Sequence, residues 1–395
     1  SFPGQFRNWF YSLLAMATVV DGTPPFKELF GYALLFAEDG RQMHKSWGNA
    51  IEFNEAADKM GVDVMRWLYC AHKPENNLLF GYGRADDVRR RFLIPLWNIY
   101  SFFTTYASLD DWQPGALEDP ARPAETTPHS DNLLDRWILA RLNQTIRDVS
   151  DALKSTDPFR ATIAAEAFVD DLSNWYLRRS RRRYWKSDAD DTDKQAAYAT
   201  LYHVLVRLAR LLAPFMPFVT EVMYQNLVRG VYPEALESVH HTLWPQADES
   251  VIDQALMDEM ALARRIASLG LSARANANIK VRQPLSRVLV DVGSRARSLS
   301  EELTAIVVDE LNVKHLEFVE DAGALVSYRI LPNNKLLGPK FGKDFPAVRK
   351  ALAALPPAEV AAKVAAGETV TLEVNGQTVE LSGEEILVQT EAAAG

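Results

Sequence analysis

The chain has 395 residues, 48% of them apolar, a formal net charge of −9 and a single cysteine, Cys70. That length and apolar content support roughly two to three domains with ample cores, and no apolar run approaches the roughly 18 residues that a membrane helix needs. One cysteine excludes internal disulfides and a multi-cysteine zinc site and fits a reducing compartment. The acidic balance excludes a general nucleic-acid coat, so any contact with a polyanion has to be made by local patches.

Residues 5–20 carry apolar side chains on nearly all faces, which predicts a helix buried on several sides. The chain enters this helix directly from Ser1, without a methionine and without anything like a signal peptide, so the protein is expected to continue upstream. After Pro24 and Pro25, residues 32–36 form a short continuous apolar run, read as a buried parallel strand that Glu38-Asp39-Gly40 turns at its end. Helical patterning resumes over 54–72 and 86–106. Residues 113–129 then carry Pro114, Pro120, Pro123 and Pro128 with no apolar period, the mark of an interdomain linker.

From 131 to about 231 the pattern is entirely helical. Leu133, Trp137 and Leu142 begin one amphipathic segment, residues 159–186 form a second, and Leu201, Leu205, Leu208 and Leu212 mark a third. Pro217 fits the first turn of a further helix through Leu227, and an antiparallel bundle is the simplest packing. Beyond Trp244-Pro245 a helix over 252–271 leads into mixed α/β sequence. There Val370, Leu372 and Val374 alternate into Asn375-Gly376, and Val379 and Leu381 alternate out, which predicts a hairpin. The fold class expected is mainly α with α/β parts.

Within that bundle, residues 173–186 hold six arginines and lysines (Arg178, Arg179, Arg181, Arg182, Arg183, Lys186) and no acid. Trp175, Tyr176, Tyr184 and Trp185 interleave with them. Guanidinium groups fork onto phosphates and aromatic rings stack on bases, so the combination suits looped or single-stranded RNA. The residues equally allow a charged helix face that is only solvated or paired with acids of the bundle. Phe168, Leu172, Trp175 and Tyr176 share one face that Arg179 and Arg183 continue, whereas Arg178 and Arg181 point away from it and Arg182 lies between.

A second site is the loop Gly40-Arg41-Gln42-Met43-His44-Lys45-Ser46-Trp47-Gly48-Asn49, which follows the expected parallel strand. Loops at the carboxyl ends of such strands bind ligands in open α/β sheets. Lys45 and Ser46, with Gly48 permitting close backbone approach, suit phosphate oxygens. Taken alone, a Lys-Ser-x-Gly-Asn sequence is too common to decide this.

Met43-His44-Lys45-Ser46-Trp47-Gly48-Asn49 resembles the Lys-Met-Ser-Lys-Ser-x-Gly-Asn loop of class I aminoacyl-tRNA synthetases. The stretch 168–185, with Ser173-Asn174-Trp175-Tyr176-Leu177-Arg178-Arg179-Ser180-Arg181 at its centre, and Ala213-Pro214-Phe215-Met216-Pro217-Phe218 are similar to the anticodon-binding bundle of the isoleucyl enzymes. Residues 279–285 and 309–314 resemble the C-terminal region of the same family, and residues 331–343 its eukaryote-like branch, which lacks a zinc tail. The resemblance covers nearly the whole chain in order. It implies the end of a Rossmann-like catalytic domain with its signature loop over 1–50, a stem-contact region over 51–112, a linker over 113–130, a helical anticodon-binding domain over 131–250 and a small C-terminal α/β region over 251–395. The family's first half and its editing domain would precede Ser1, so the chain is expected to be a fragment, inactive by itself.

The implied activity is isoleucine–tRNA ligation. ATP, with Mg2+, activates isoleucine, and the acyl group passes to tRNA(Ile). By the same resemblance Lys45, Ser46 and His44 are catalytic candidates, Met43, Lys45 and Gly48 contact ATP, and Gln5 and Trp9, four apart on one helix face, line the amino-acid pocket. Arg178, Arg181, Arg182 and Trp185 contact tRNA. No zinc, membrane or protein partner is implied, and the location expected is cytoplasmic. The chain departs from the family at Gln42 and His44, where the first signature lysine and the middle serine stand, at Gly4 for an aspartate, at Asn8 for a glycine, and at Tyr32-Ala33 for a His-Gly or Asn-Gly pair. Two rivals remain: a non-catalytic tRNA-binding module derived from a synthetase, and a valine-specific ligase.

Overall fold

The computed structural model describes residues 4–186, 191–291, 298–319 and 326–392, and the chain separates into two compact units, 1–258 and 259–395. It is mainly α with small α/β parts, as the periodicities predict. No described helix is long and apolar enough to cross a membrane.

In the first unit a 3-10 turn (Gly4–Arg7) precedes helix α1 (Trp9–Asp21). The expectation of a helix buried on several sides is corrected here. None of α1's residues is buried, and Trp9, Tyr11, Met16, Val19 and Val20 each expose more than half their surface. Periodicity reports that a helix is apolar all round; burial needs partners on every side, and the described residues supply few. Phe10 meets Phe26 edge-to-face at 6.0 Å.

Strand β1 is Leu35–Ala37, three residues long and later than expected, and of its residues only Ala37 is buried. Its forerunners are already engaged otherwise: Ala33 N–H donates to the Pro74 carbonyl (2.7 Å) and Leu34 N–H to Asn77 Oδ1 (3.0 Å). The predicted helix over 54–72 is two helices, α2 (Phe53–Met60) and α3 (Val62–Cys70). Gly61 parts them at φ 86, ψ 135, a conformation open to glycine and strained for other residues. Glu52 caps α2 by accepting from Glu55 N–H (3.0 Å).

Strand β2 (Leu78–Phe80) pairs parallel with β1 in the register Leu35–Leu78, Phe36–Leu79, Ala37–Phe80. Helix α4 (Tyr82–Val88) continues through a π turn (Arg89–Leu93) into α5 (Ile94–Leu109). The wide turn stands directly before Pro95, which cannot donate to the carbonyl of Arg91 and crowds it, one of the identifiable causes of a helix irregularity.

The proline-rich stretch 113–130, expected to be a linker between domains, lies against the helical bundle inside the first unit. Leu243 N–H donates to the Ala121 carbonyl (2.8 Å), and Arg210 reaches the Pro123 carbonyl (2.9 Å) and Glu125 Oε2 (2.7 Å). Arg207 Nη1 donates to the Glu125 carbonyl (3.1 Å). Prolines keep such a segment extended, but buried arginines some 85 residues away hold it down.

The bundle consists of α6 (Leu133–Lys154), α7 (Pro158–Asp170) continued by a π turn (Asp171–Leu177) into α8 (Arg178–Tyr184), α9 (Thr192–Leu212), and α10 (Pro217–Tyr224) ending in a π turn (Gln225–Arg229). Asn132, Asp157 and Asp191 cap α6, α7 and α9. Every residue from Thr200 to Leu212 is buried, which makes α9 the central helix.

Helix α11 (Gln254–Asn276) contains the boundary between the units. In the second unit β3 (Leu285–Asp291) and β4 (Val313–Val319) pair parallel, joined through α12 (Glu301–Leu311). Strand β5 (Val326–Pro332), helices α13 (Asn334–Phe341), α14 (Phe345–Ala354) and α15 (Pro357–Ala365), and strands β6 (Val370–Val374), β7 (Gln377–Leu381) and β8 (Ile386–Ala392) complete it. The predicted hairpin is β6–β7, with Asn375 (φ 53) and Gly376 (φ 79) as its two turn residues. Leu337, Val348, Leu352, Val360, Leu372 and Leu381 are the centre of its core.

Candidate functional site

The signature loop begins where β1 ends. Ala37 N–H donates to the Arg41 carbonyl (2.8 Å) and Gly40, at φ 81, turns the chain, so that Gln42 pairs back with Phe36. Lys45–Trp47 is one 3-10 turn, entered from extended His44 and left through Gly48 at φ 69. Asn49 closes the loop from inside: its Oδ1 accepts from His44 N–H (2.9 Å) and its Nδ2 donates to the Gln42 carbonyl (2.9 Å). The Asn of the motif is thus a brace, and these bonds form without the side chains of Lys45 or Ser46, both of which are exposed.

Met43 is half-buried, and the His44 ring lies 4.2 Å from that of Trp47 with its Nε2 3.4 Å from Gln42 Oε1. The two residues of the loop that depart from the family pattern, Gln42 and His44, therefore face each other. Chemically the turn offers an exposed ammonium, a hydroxyl and backbone amides beside the carboxyl end of a parallel strand pair, the arrangement that meets phosphate charge.

One supporting residue went unread in the sequence. Glu38, the first residue after β1, accepts from Gly83 N–H (3.3 Å) at the start of α4. A Cβ built on Gly81 would come within 2.7 Å of the Glu38 Cβ, so that position needs glycine for this approach, whereas at Gly83 it would meet only the movable carboxylate end of Glu38. The Gly-Tyr-Gly spacing was the available signal.

Gln5 and Trp9 do not share a continuous helix face. Asn8, at φ −120 and ψ −95, breaks the path between the 3-10 turn that holds Gln5 and the first residue of α1, Trp9. Gln5 is half-buried, and Trp9, 61% exposed, is not a core residue.

The basic helix divides into buried, paired residues and exposed ones. Arg183 is buried and forks onto Asp135, which has no exposed surface, with Nη1 donating at 2.6 Å and Nη2 at 2.7 Å. Asp135 also accepts from Tyr176 Oη (2.7 Å) and Ser130 Oγ (2.7 Å), and Arg183 from its other side pairs with Asp193 (2.8 Å). Burial by itself would loosen the proton on Arg183, but the bonds to Asp135 outweigh it and raise the pKa; burial together with Asp135 pushes the Tyr176 phenol well up. Lys186 binds Asp191 (2.9 Å) and Asp193 (3.2 Å), and Arg179 is half-buried with its guanidinium 4.4 Å from the Trp175 ring centre.

Arg178, Arg181 and Arg182 are exposed. Of the four interleaved aromatics, Trp175, Tyr176 and Tyr184 are core residues rather than stacking surfaces. Trp185 alone among them is exposed, at 57%, with its indole N–H fixed on Tyr106 Oη (2.8 Å).

Two family models match the chain. Residues 4–78 match the class I tRNA synthetases (I, L, M and V), and residues 135–289 the anticodon-binding domain of tRNA ligase. The whole chain is similar to the isoleucine–tRNA ligase of Thermus thermophilus, at 40% identity over 100% of this chain and 38% of that protein. Over its whole length the chain is thus similar to members of the isoleucine–tRNA ligase family. The family's member from Clostridium tetani is 38% identical over 100% of this chain and 38% of its own length. One from Dehalococcoides mccartyi is 45% identical over 82% of this chain and 31% of its own. The chain thus spans about 38% of the length of the first of these relatives. Among solved structures, the ternary complex of Agrobacterium radiobacter K84 agnB2 LeuRS with tRNA and LeuAMS is similar at a TM-score of 0.46, covering 62% of this chain and 28% of that chain at 17% identity.

Proposed function

We propose that this chain is part of an isoleucine–tRNA ligase and carries the signature loop of adenylation together with the tRNA-binding bundle. In the reaction, the isoleucine carboxylate attacks the α-phosphate of ATP, which arrives with Mg2+ as substrate, and pyrophosphate leaves; a terminal ribose hydroxyl of tRNA(Ile) then takes the acyl group. The observation that carries the reading is the Met43–Asn49 turn, braced internally by Asn49 so that Lys45 and Ser46 are left for a ligand.

Negative charge grows on the phosphates in the first transition state, and Lys45 meets it there, aided by Ser46 and the loop amides. Met43 and Gly48 shape the nucleotide side, and His44, with its ring against Trp47 and its Nε2 facing Gln42, is a further catalytic contact there. Gln5 and Trp9 line the amino-acid pocket, the exposure of Trp9 being in keeping with a ligand-facing ring. Such a pocket separates isoleucine from valine by only one methylene, roughly 1–3 kcal/mol. Arg178, Arg181, Arg182 and Trp185 form the tRNA face.

The uncovered apolar surface of α1 supports the view that other parts of the ligase pack there, so the 395-residue chain by itself is proposed not to activate isoleucine. In the longer ligase, Lys45→Ala should lower isoleucine-dependent ATP–pyrophosphate exchange by on the order of 10²–10³ with little change in isoleucine affinity. Equal rates in variant and parent would remove Lys45 from the mechanism, and exchange by the 395-residue chain above a heat-killed control would overturn its proposed inactivity.

A further inference from the structure

Residues 260–290 form a second acid-free basic stretch: Arg264, Arg265, Arg274, Lys280, Arg282 and Arg287 stand there without one aspartate or glutamate, in a chain whose net charge is −9. Its centre is a loop between α11 and β3. Arg274, near the end of α11, is only 5% exposed, and its guanidinium is aimed at main-chain oxygens. Nη1 donates to the carbonyls of Lys280 (3.3 Å) and Gln283 (3.0 Å), and Nη2 to that of Asn312 (3.0 Å).

From the other side Asn312, in the left-handed conformation at φ 49, donates its Nδ2 to the Val281 carbonyl (2.9 Å), while Leu285 N–H returns to the Asn312 carbonyl (3.1 Å). The two motifs 279–285 and 309–314 are therefore one device. Three oxygens of the loop, at Lys280, Val281 and Gln283 with only Arg282 skipped, are drawn inward, and the side chains of Lys280, Val281, Arg282 and Gln283 are left exposed.

Burying a guanidinium against carbonyls is costly compared with leaving it in water. Here that cost stiffens a surface loop whose own side chains stay in solvent, which is the arrangement of a contact surface. We infer that the Lys280–Gln283 loop is a second docking point for the RNA phosphate backbone, with Lys280 and Arg282 as the contacting cations and Arg274 and Asn312 as positioning residues. The inference rests on the proposed tRNA-binding function and adds to it a site outside the arginine-rich helix. RNA is favoured over a protein partner by the sign of the stretch and by the absence of acids within it, since an acidic protein surface would need no such rigid spacing of two cations on one turn.

The test is filter binding of a tRNA(Ile) transcript by the 395-residue chain at several salt concentrations. Lys280→Glu with Arg282→Glu should weaken binding, and the plot of log affinity against log salt should become shallower by about 1.4, the value for two single-strand phosphate contacts at about 0.7 each. The neutral pair Lys280→Gln with Arg282→Gln should move both quantities in the same direction by less, and neither pair should lower the melting temperature. Arg274→Lys keeps a charge but cannot reach three carbonyls, so it should speed amide exchange over 280–285 and weaken binding while conserving most of the salt slope.

If both pairs leave affinity and slope unchanged while Arg178→Glu with Arg181→Glu weakens binding, the loop is not an RNA contact and the proposed function stands. If the parent chain does not bind the transcript, both fall. A loss caused by the pair that is independent of salt would also overturn the inference, because it would point away from phosphate contact.

Discussion

Arg183→Met tests the division of the basic helix most directly. The substitution keeps an unbranched side chain of similar reach but removes two of the four hydrogen bonds on Asp135, the 2.6 and 2.7 Å bonds of the fork, and leaves a carboxylate with no exposed surface facing only Tyr176 and Ser130. Breaking a buried ion pair from one side costs about 3–5 kcal/mol. For a unit of this size, with about 2–4 °C per kcal/mol, the melting temperature should fall by roughly 6–20 °C. All nine tryptophans lie within residues 1–258, so urea titration followed by tryptophan fluorescence reports on this unit alone.

Removing the second charge should restore much of the loss. Arg183→Met with Asp135→Leu is expected to be more stable than Arg183→Met alone, and a double-mutant cycle gives the coupling. Arg178→Glu with Arg181→Glu, on the exposed side, should leave the transition within about 0.5 kcal/mol of the parent. A loss below about 1 kcal/mol for Arg183→Met, or additive effects in the cycle, would refute the assignment of Arg183 to the bundle.

The buried His203 has its pKa pushed down to about 3, first by burial and then by Arg207. The unfolded chain takes up that proton first, so this contribution is complete above about pH 6.5 and is lost toward pH 3 at roughly 1.4 kcal/mol per pH unit; His203→Phe should flatten the acid limb in urea titrations at pH 7, 5.5 and 4.5, and an unchanged slope would contradict it. Gly61→Ala meets open space, yet at φ 86 it should cost about 1–3 kcal/mol through backbone strain, read from the same titrations. Asn49→Ala removes both braces of the signature loop, so amide exchange over 42–49 should quicken without a change in melting temperature; protection equal to the parent would deny the brace. Trp185→Ala should weaken tRNA binding by about 1–3 kcal/mol if the exposed indole stacks on a base, and intact affinity would exclude stacking.

Local chemistry was legible in the sequence. Turn residues and alternation located the β6–β7 hairpin, the 3.6-residue period located α6, α9 and α11 though α9 begins earlier and α11 ends later than the period showed, and Gly48 with Asn49 marked a tight turn around Lys45. The same period separated Arg183 from Arg178 and Arg181, because helix phase is a property of consecutive residues. Even so it missed Gly61, whose φ is set by the angle between two packed helices, and the shift of β1, where Ala33 and Leu34 found partners 41 and 43 residues away.

What tertiary structure alone decided is which apolar or charged side chains find a partner. An all-round apolar pattern in α1 could not tell a buried helix from an uncovered one, and a proline-rich stretch could not announce that Arg207 and Arg210 would hold it against α9. Asp135 and Arg183 stand 48 residues apart, and Arg274 and Asn312 38 apart. Spacings of that kind carry no period or turn signal, because the chain between them is free to take any path until the packing of the whole unit brings the two ends within hydrogen-bond reach.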